Sequence, residues 1–233
     1  MTQYHGKDTL VLLKTGDVTG FNRGGSVSEP IDVADSTVLG LEDHTHKLGQ
    51  SNGTVTLDGV FDTSHAATLD GYRKSTGEPF GLFPGGDTVG NFGRCSLIKQ
   101  ALVDISAPVG DIVRAQFQAV VHAGFDRGVS LHSTAAAETS ATNGSTVDSG
   151  ASSANGGAAY LWLTAFAGTD ATIRVEHSTN GSTWATLTTF TTLTAVGSER
   201  LIVAEATTVN RYLRSVSAGT FTSITYAVAF GRR

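Results

Sequence analysis

The stretch that decides the fold is Ile112-Val113-Arg114-Ala115-Gln116-Phe117-Gln118-Ala119-Val120-Val121-His122. Val113, Ala115, Phe117, Ala119 and Val121 point one way. Arg114, Gln116, Gln118 and His122 point the other, with Ile112 and Val120 as apolar exceptions. A period of two belongs to a strand with one face on a core and one in water. Gly93–Ile105 precedes it, and Ser106-Ala107-Pro108-Val109-Gly110 reads as the turn between them, which predicts a long hairpin.

The same period extends in both directions. Upstream, strands are expected over Thr9–Lys14, around Val27–Val33 and over Thr54–Phe61. Asp62-Thr63-Ser64 offers capping groups for one short helix over Ser64–Lys74, stopped by Gly77 and Pro79. Leu41–Gly53 is polar, holds two histidines and reads as a long exposed loop or a hairpin arm. Downstream, Tyr160–Phe166 places Tyr160, Trp162, Thr164 and Phe166 on one face, and Ala171–His177 alternates again. Asn180-Gly181 is a strong hairpin turn signal, with Trp184–Thr191 pairing back across it. Arg200–Glu205, Arg211–Ser217 and Ser223–Gly231 complete a set of strands spaced as in a sandwich or jelly roll. Between the two strand-rich parts, Ala135–Gly157 is low in complexity and holds too little bulk for a core of its own. The expected division is therefore a β domain over 1–128, a connector over 129–157 and a second β domain over 158–233.

Composition agrees with this class. Of 233 residues, 81 are Gly, Thr or Ser, and Thr suits strand faces while Gly suits turns. Hydrophobic residues make up 39% and charged residues 16%, the reverse of a disordered chain. No apolar run approaches the ~18 residues that cross a membrane as a helix, and the polar start shows no signal peptide. The single cysteine, Cys95, cannot form an intramolecular disulfide and reads as a buried small hydrophobe, compatible with a reducing cytoplasm. The net charge of −5 lies entirely in residues 1–128, because 129–233 balances. Neither part carries the basic stripe of a nucleic-acid binder.

Motifs that carry chemistry are few. His44 and His46 share a face on a strand and could meet one metal with Asp43 or Glu42, but solvated loop histidines are the simpler reading. No His-Glu-x-x-His, Cys-x-x-Cys or Gly-x-Ser-x-Gly occurs. The glycine clusters Gly81–Gly86 and Asn155–Gly157 lack the context of a phosphate loop and read as turns. Asp32 and Asp35 read as turn caps. Trp162 and Trp184, with Tyr160, are either core or a ligand-stacking platform. No catalytic residue, metal or cofactor is therefore assigned. Long strands with small polar outer faces need their edges managed, and closing a ring with neighbouring copies does so.

A family resemblance rests on Thr19–Asp62. Ser26-Val27-Ser28-Glu29-Pro30-Ile31-Asp32-Val33, then Leu41–Gln50, then Gly53-Thr54-Val55-Thr56-Leu57-Asp58-Gly59-Val60-Phe61-Asp62 resembles the front half of a tailed-phage tail tube (major tail) protein. The helix over Ser64–Lys74 and the hairpin Gly93–Ala123 fit the same pattern. Residues 128–233 resemble an accessory module of phage structural proteins, carried by Gly128–Leu131, Glu138-Thr139, Val147–Gly150, His177–Trp184, Arg211–Arg214 and Ala227–Phe230. The resemblance implies a tail-tube-type β-sandwich with one short helix, followed by a second β-sandwich. It implies a non-enzymatic virion protein that forms hexameric rings stacked into a tube. Such a protein is assembled in the host cytoplasm with other tail proteins, and DNA passes through its lumen without specific binding. It places an inter-ring arm on Leu41, Glu42, Asp43, His44, His46, Lys47 and Leu48. Other readings are a capsid decoration, head-fibre or minor tail protein, or a carbohydrate-binding module stacking sugars on Tyr160, Trp162 and Trp184.

Overall fold

The computed structural model describes residues 4–14, 16–37, 43–61, 63 and 75–233. The expected helix over 64–74 lies outside the described residues. The chain is all-β, as its alternation requires. Among the described residues the strands are β1 (Leu10–Leu13), β2 (Gly16–Asp17), β3 (Asn22–Ser28), β4 (Ile31–Asp35), β5 (His46–Ser51), β6 (Thr54–Val60), β7 (Glu78–Phe83), β8 (Phe92–Ser106), β9 (Arg114–Val121), β10 (Asp126–His132), β11 (Val147–Asp148), β12 (Gly157–Ser178), β13 (Ala185–Thr189), β14 (Gly197–Val203) and β15 (Tyr212–Arg232). No described helix is long and apolar enough to cross a membrane.

Two compact units form, and they divide the chain differently from the boundaries expected at 128 and 157. The larger holds Met1–Gly20, Glu78–Leu97 and Asp126–Arg233; the smaller holds Phe21–Gly77 and Ile98–Phe125. The cause is strand pairing. In the larger unit β10 joins β15, with Val129 opposite Phe230, and β1 joins β7, with Leu12 opposite Gly81. The low-complexity segment is consequently no connector. It lies along β15 and the loop before it, through bridges from Glu138 to Ile224, Asn143 to Val216 and Ser153 to Val209.

The larger unit is organised by β12 and β15, which pair antiparallel from Gly157↔Arg232 to Ser178↔Tyr212. Each was expected as two strands. Ala167-Gly168 and Ala218-Gly219 look like turns in sequence, yet they only bend the strands at register shifts near Gly168 and Asp170. Gly219 sits at φ +122°, and a Cβ there would lie 2.5 Å from the Asp170 carbonyl oxygen. Only glycine fits that kink.

The first half of β12 is buried on both faces. On one face Tyr160 and Trp162 pack with Leu12, Phe83, Cys95, Ala227 and Ala229. The Tyr160 and Trp162 rings stack at 5.8 Å, and Phe83 meets Trp162 edge-on at 6.2 Å. Alanines opposite them leave room for the large rings. On the other face Leu161 and Leu163 join Leu131, Val175, Phe190, Leu213, Tyr226 and Phe230. Phe166 packs against this second cluster rather than sharing the face of Trp162, because the register shift between Leu163 and Ala165 reverses the alternation.

The smaller unit is an antiparallel sheet in the order β3-β6-β9-β8. The expected hairpin is present as β8 and β9, with Val103 opposite Phe117. Val55, Leu57, Ile98, Phe117 and Ala119 are its buried apolar residues among those described. Gly53 lies so close to Val121 that a Cβ would approach its Cβ to 2.8 Å. From the Ser28–Thr54 end of this sheet springs a separate two-stranded hairpin of β4 and β5.

Candidate functional site

The expected arm segment, where it is described, forms β5 of an exposed hairpin with β4. Every residue of both strands is exposed. Val33 and Leu48 are register partners, 59% and 74% exposed, and Ile31 is 48% exposed. At the described end of the hairpin, the Asp35 carboxylate accepts from the Thr37 backbone N–H at 2.8 Å and from its hydroxyl. These donors hold its carboxyl below the usual range. His44 Nδ1 lies 3.4 Å from Asp35, and its ring stacks on His46 at 6.3 Å. Ser51 and the Phe125 backbone N–H both donate to Glu29, which ties down the root. Of the predicted arm residues, Asp43, His44, His46, Lys47 and Leu48 are thus exposed; Leu41 and Glu42 lie outside the described residues. Among the described residues no group of three His, Cys, Asp or Glu is placed to hold a metal.

The sheet that carries the arm has a polar face. Asp58, Gln116 and Asp104 stand in one cross-strand row, and Gln116 Nε2 donates to Asp58 at 3.0 Å. Gln118 Nε2 reaches back to Gln116 at 3.2 Å. Among the described residues, β3 pairs with β6 alone, and the 98–106 part of β8 pairs with β9 alone. Both outer edges are therefore rows of backbone donors and acceptors without a described strand beside them. The β8–β9 turn and its flanks expose further apolar side chains: Ile105 is 50% exposed, Ile112 46% and Val109 fully so. Its sequence signals are Val109 in the segment that reads as a turn and Ile112, an apolar exception at the start of the strand that follows.

The larger unit holds its polar groups inside, in locks rather than in a reactive array. Asp126 accepts from the Tyr160 hydroxyl, from Arg200 at 3.2 Å and from Arg233 at 3.3 Å, while Arg200 Nε also donates to Tyr160 at 2.9 Å. Burial pushes the Tyr160 hydroxyl up, helped by the Asp126 charge, and burial likewise raises the Cys95 thiol. Glu138 receives His132 at 2.9 Å, Tyr226 at 3.2 Å and Ser217. Burial alone would raise the Glu138 carboxyl; the hydrogen bonds from His132 and Ser217 outweigh it and hold the group low. Ser217 and His132 each meet the carboxylate, and the other ring nitrogen of His132 meets the Tyr226 carbonyl at 2.9 Å, so the ring has no nitrogen left for the serine–histidine bond of a nucleophilic triad. It fastens the 133–157 segment to β15.

The ligand-stacking platform is not assembled. Tyr160 and Trp162 are fully buried, with Trp162 Nε1 donating to the Pro79 carbonyl at 3.2 Å. They are core because small residues on β15 and Gly81 on β7 leave a slot of their size. Trp184 stands apart at half-burial, with the Arg214 guanidinium 4.2 Å over its ring. Arg214 is held by Glu176, which Arg174 also contacts at 2.8 Å.

No family model matches the chain. No curated protein matches it either. Among solved structures, a chain of the virion of a native gene transfer agent particle is similar, with TM-score 0.44 and 15% identity, over 53% of this chain and 97% of the other. The crystal structure of the phage SPP1 Dit (gp 19.1) protein, described as a hub adsorption apparatus in Gram-positive infecting phages, gives TM-score 0.40 and 10% identity over 96% and 98%. A chain of the phage p2 baseplate in its activated conformation gives TM-score 0.36 and 8% identity over 97% and 98%.

Proposed function

We propose that this protein is a structural subunit of a phage tail that closes into a ring, and that stacked rings form a tube. The observation that carries the reading is the sheet β3-β6-β9-β8, open at both edges among the described residues. Its four strands are successively antiparallel. With an even number, β3 of one copy runs antiparallel to β8 of a copy related by rotation about a ring axis. A closed ring then continues the ladder across every seam and leaves no edge. The resemblance of Thr19–Asp62 to tail tube proteins supports six copies per ring.

The charge pattern suits a passage for DNA. The smaller unit sums to −4 and the larger to −1, with histidines neutral. The net negative charge of the smaller unit would repel phosphates weakly instead of binding them. The exposed β4–β5 hairpin is the inter-ring arm in this reading, its apolar residues covered only on assembly.

Negative-stain microscopy of the purified protein tests the proposal. Rings of uniform diameter or tubes are expected. In particles, copy number should scale with tail length, which separates a tube subunit from a hub, decoration or minor tail protein present in a fixed number. A protein that stays monomeric at high concentration and is absent from virions would overturn it.

A further inference from the structure

Of the eight large apolar side chains exposed among the described residues of the smaller unit, Leu102 and Val120 stand on the sheet itself, and the other six lie at two places that the register puts at opposite ends of it. At one end lie Ser28↔Thr54 and Thr54↔Val120, where the arm leaves with Ile31, Val33 and Leu48 exposed. At the other end lie Val60↔Arg114 and Ser106↔Arg114, where the β8–β9 tip exposes Ile105, Val109 and Ile112. The sheet between them is seven residues long in β6, roughly 20 Å at the usual strand rise. Isolated exposed apolar residues are ordinary; clusters of three at each end of one element are the mark of a contact surface.

We propose that the arm of one copy docks on the β8–β9 hairpin tip of a second copy. This rests on the ring reading above and names the surface that receives the arm. Two different patches at opposite ends make a head-to-tail contact, which extends along an axis when its rotation does not close on itself. An arm-to-arm contact would instead be isologous and stop at a pair.

Charge supports the same pairing. The described arm carries Asp32, Asp35 and Asp43 against one lysine, Lys47. Beside the tip an open cleft of about 510 Å³ is lined by Arg23 and Arg114 together with Asp58, Asp104 and Gln116. Gln116 already donates to Asp58, and Arg114 reaches Asp111 at 3.0 Å. Of the two cleft cations, Arg23 is the one left to meet the arm's carboxylates, and Asp104 can take Lys47. The apolar tip then seats Val33 and Leu48, which share one face of the arm as register partners.

The test uses the full chain with paired cysteines, Leu48→Cys with Val109→Cys and, to allow for an offset, Val33→Cys with Ile112→Cys. The native Cys95 is fully buried and serves as the internal control. Under mild oxidation of assembled protein, an open-ended ladder on non-reducing gels is expected from at least one pair. Each single-cysteine variant should give no species beyond a dimer. A companion variant, Val109→Asp, should keep rings of normal diameter while tubes disappear from micrographs. Tubes that form normally in Val109→Asp, or that yield no ladder from either cysteine pair, overturn the docking site while leaving the ring reading intact. Wild-type protein that forms neither rings nor tubes overturns both.

Discussion

The two units of this chain solve opposite problems. Among the described residues, thirty of the buried hydrophobic side chains belong to the larger unit and five to the smaller. Of twelve large hydrophobics exposed among the described residues, the smaller unit holds eight. It also carries most of the net negative charge. The larger unit sandwiches β12 between two apolar clusters and pins its irregular segments with buried carboxylates. Burial of that kind stabilises a chain by itself, at ~25 cal/mol per Å² of apolar surface. The smaller unit keeps apolar surface outside, where it contributes only when another surface covers it. The lesson is that one part keeps its apolar side chains inside, while the other leaves a set of them outside, where the proposed assembly would cover them.

The strongest way to break this contrast is to attack the core. Trp162→Ala removes the largest side chain of the two-sided cluster and should cost about 3–5 kcal/mol, as truncation of buried aromatics does. Calorimetry should show the main unfolding transition shifted down. A loss below ~1 kcal/mol would mean that the cluster is loosely packed.

Gly219→Val is next. It places a β-branched residue at φ +122°, with its Cβ against the Asp170 carbonyl. A destabilisation of about 1–3 kcal/mol is expected from the backbone conformation alone, read as a lower denaturant midpoint. An unchanged midpoint would show that β12 and β15 do not need that bend.

The Glu138 lock predicts a pH dependence. Its folded carboxyl lies below the ordinary value of 4.5, so the unfolded chain binds the proton more readily. The stability it provides is present above pH ~4.5 and is lost as pH falls through the lower folded value. Glu138→Gln should flatten the acid limb of the stability curve relative to wild type. Parallel curves would show that the carboxylate gains nothing from His132, Tyr226 and Ser217.

The smallest effect is expected at the arm. Leu48→Asp alters a residue that is 74% exposed, so the melting of unassembled protein should move by less than ~0.5 kcal/mol. Assembly into tubes should fall sharply. A large loss of monomer stability would place Leu48 in a packed site and erase the contrast between the units.

Much of this was legible before any coordinates. The alternation in Ile112–His122 specifies a half-buried strand because side chains on a strand change face at every residue. The β8–β9 hairpin, the buried Cys95 and the exposed arm follow from that rule and from turn chemistry. Local pattern failed where distant strands decided the outcome. Gly168 and Gly219 look like turns by composition, but the ladder of each strand with its partner carries the chain through them as bends. Phe166 changed face because one register shift reverses an alternation, and a shift leaves no mark on periodicity. The low-complexity 135–157 segment cannot form a core, yet β15 and Glu138 give it a place on one. Tyr160 and Trp162 could have been surface or interior, since a strand with two apolar faces looks the same from either side; Ala227, Ala229 and Gly81 opposite them settled it. Residue order alone set most of the strands and their apolar faces, because these depend on neighbours two positions apart; it misread Gly81–Phe83, which lies in β7, as a turn. Which strands meet, where two units separate and which apolar residues remain outside were decided only in three dimensions, because they depend on pairings between residues far apart in the chain.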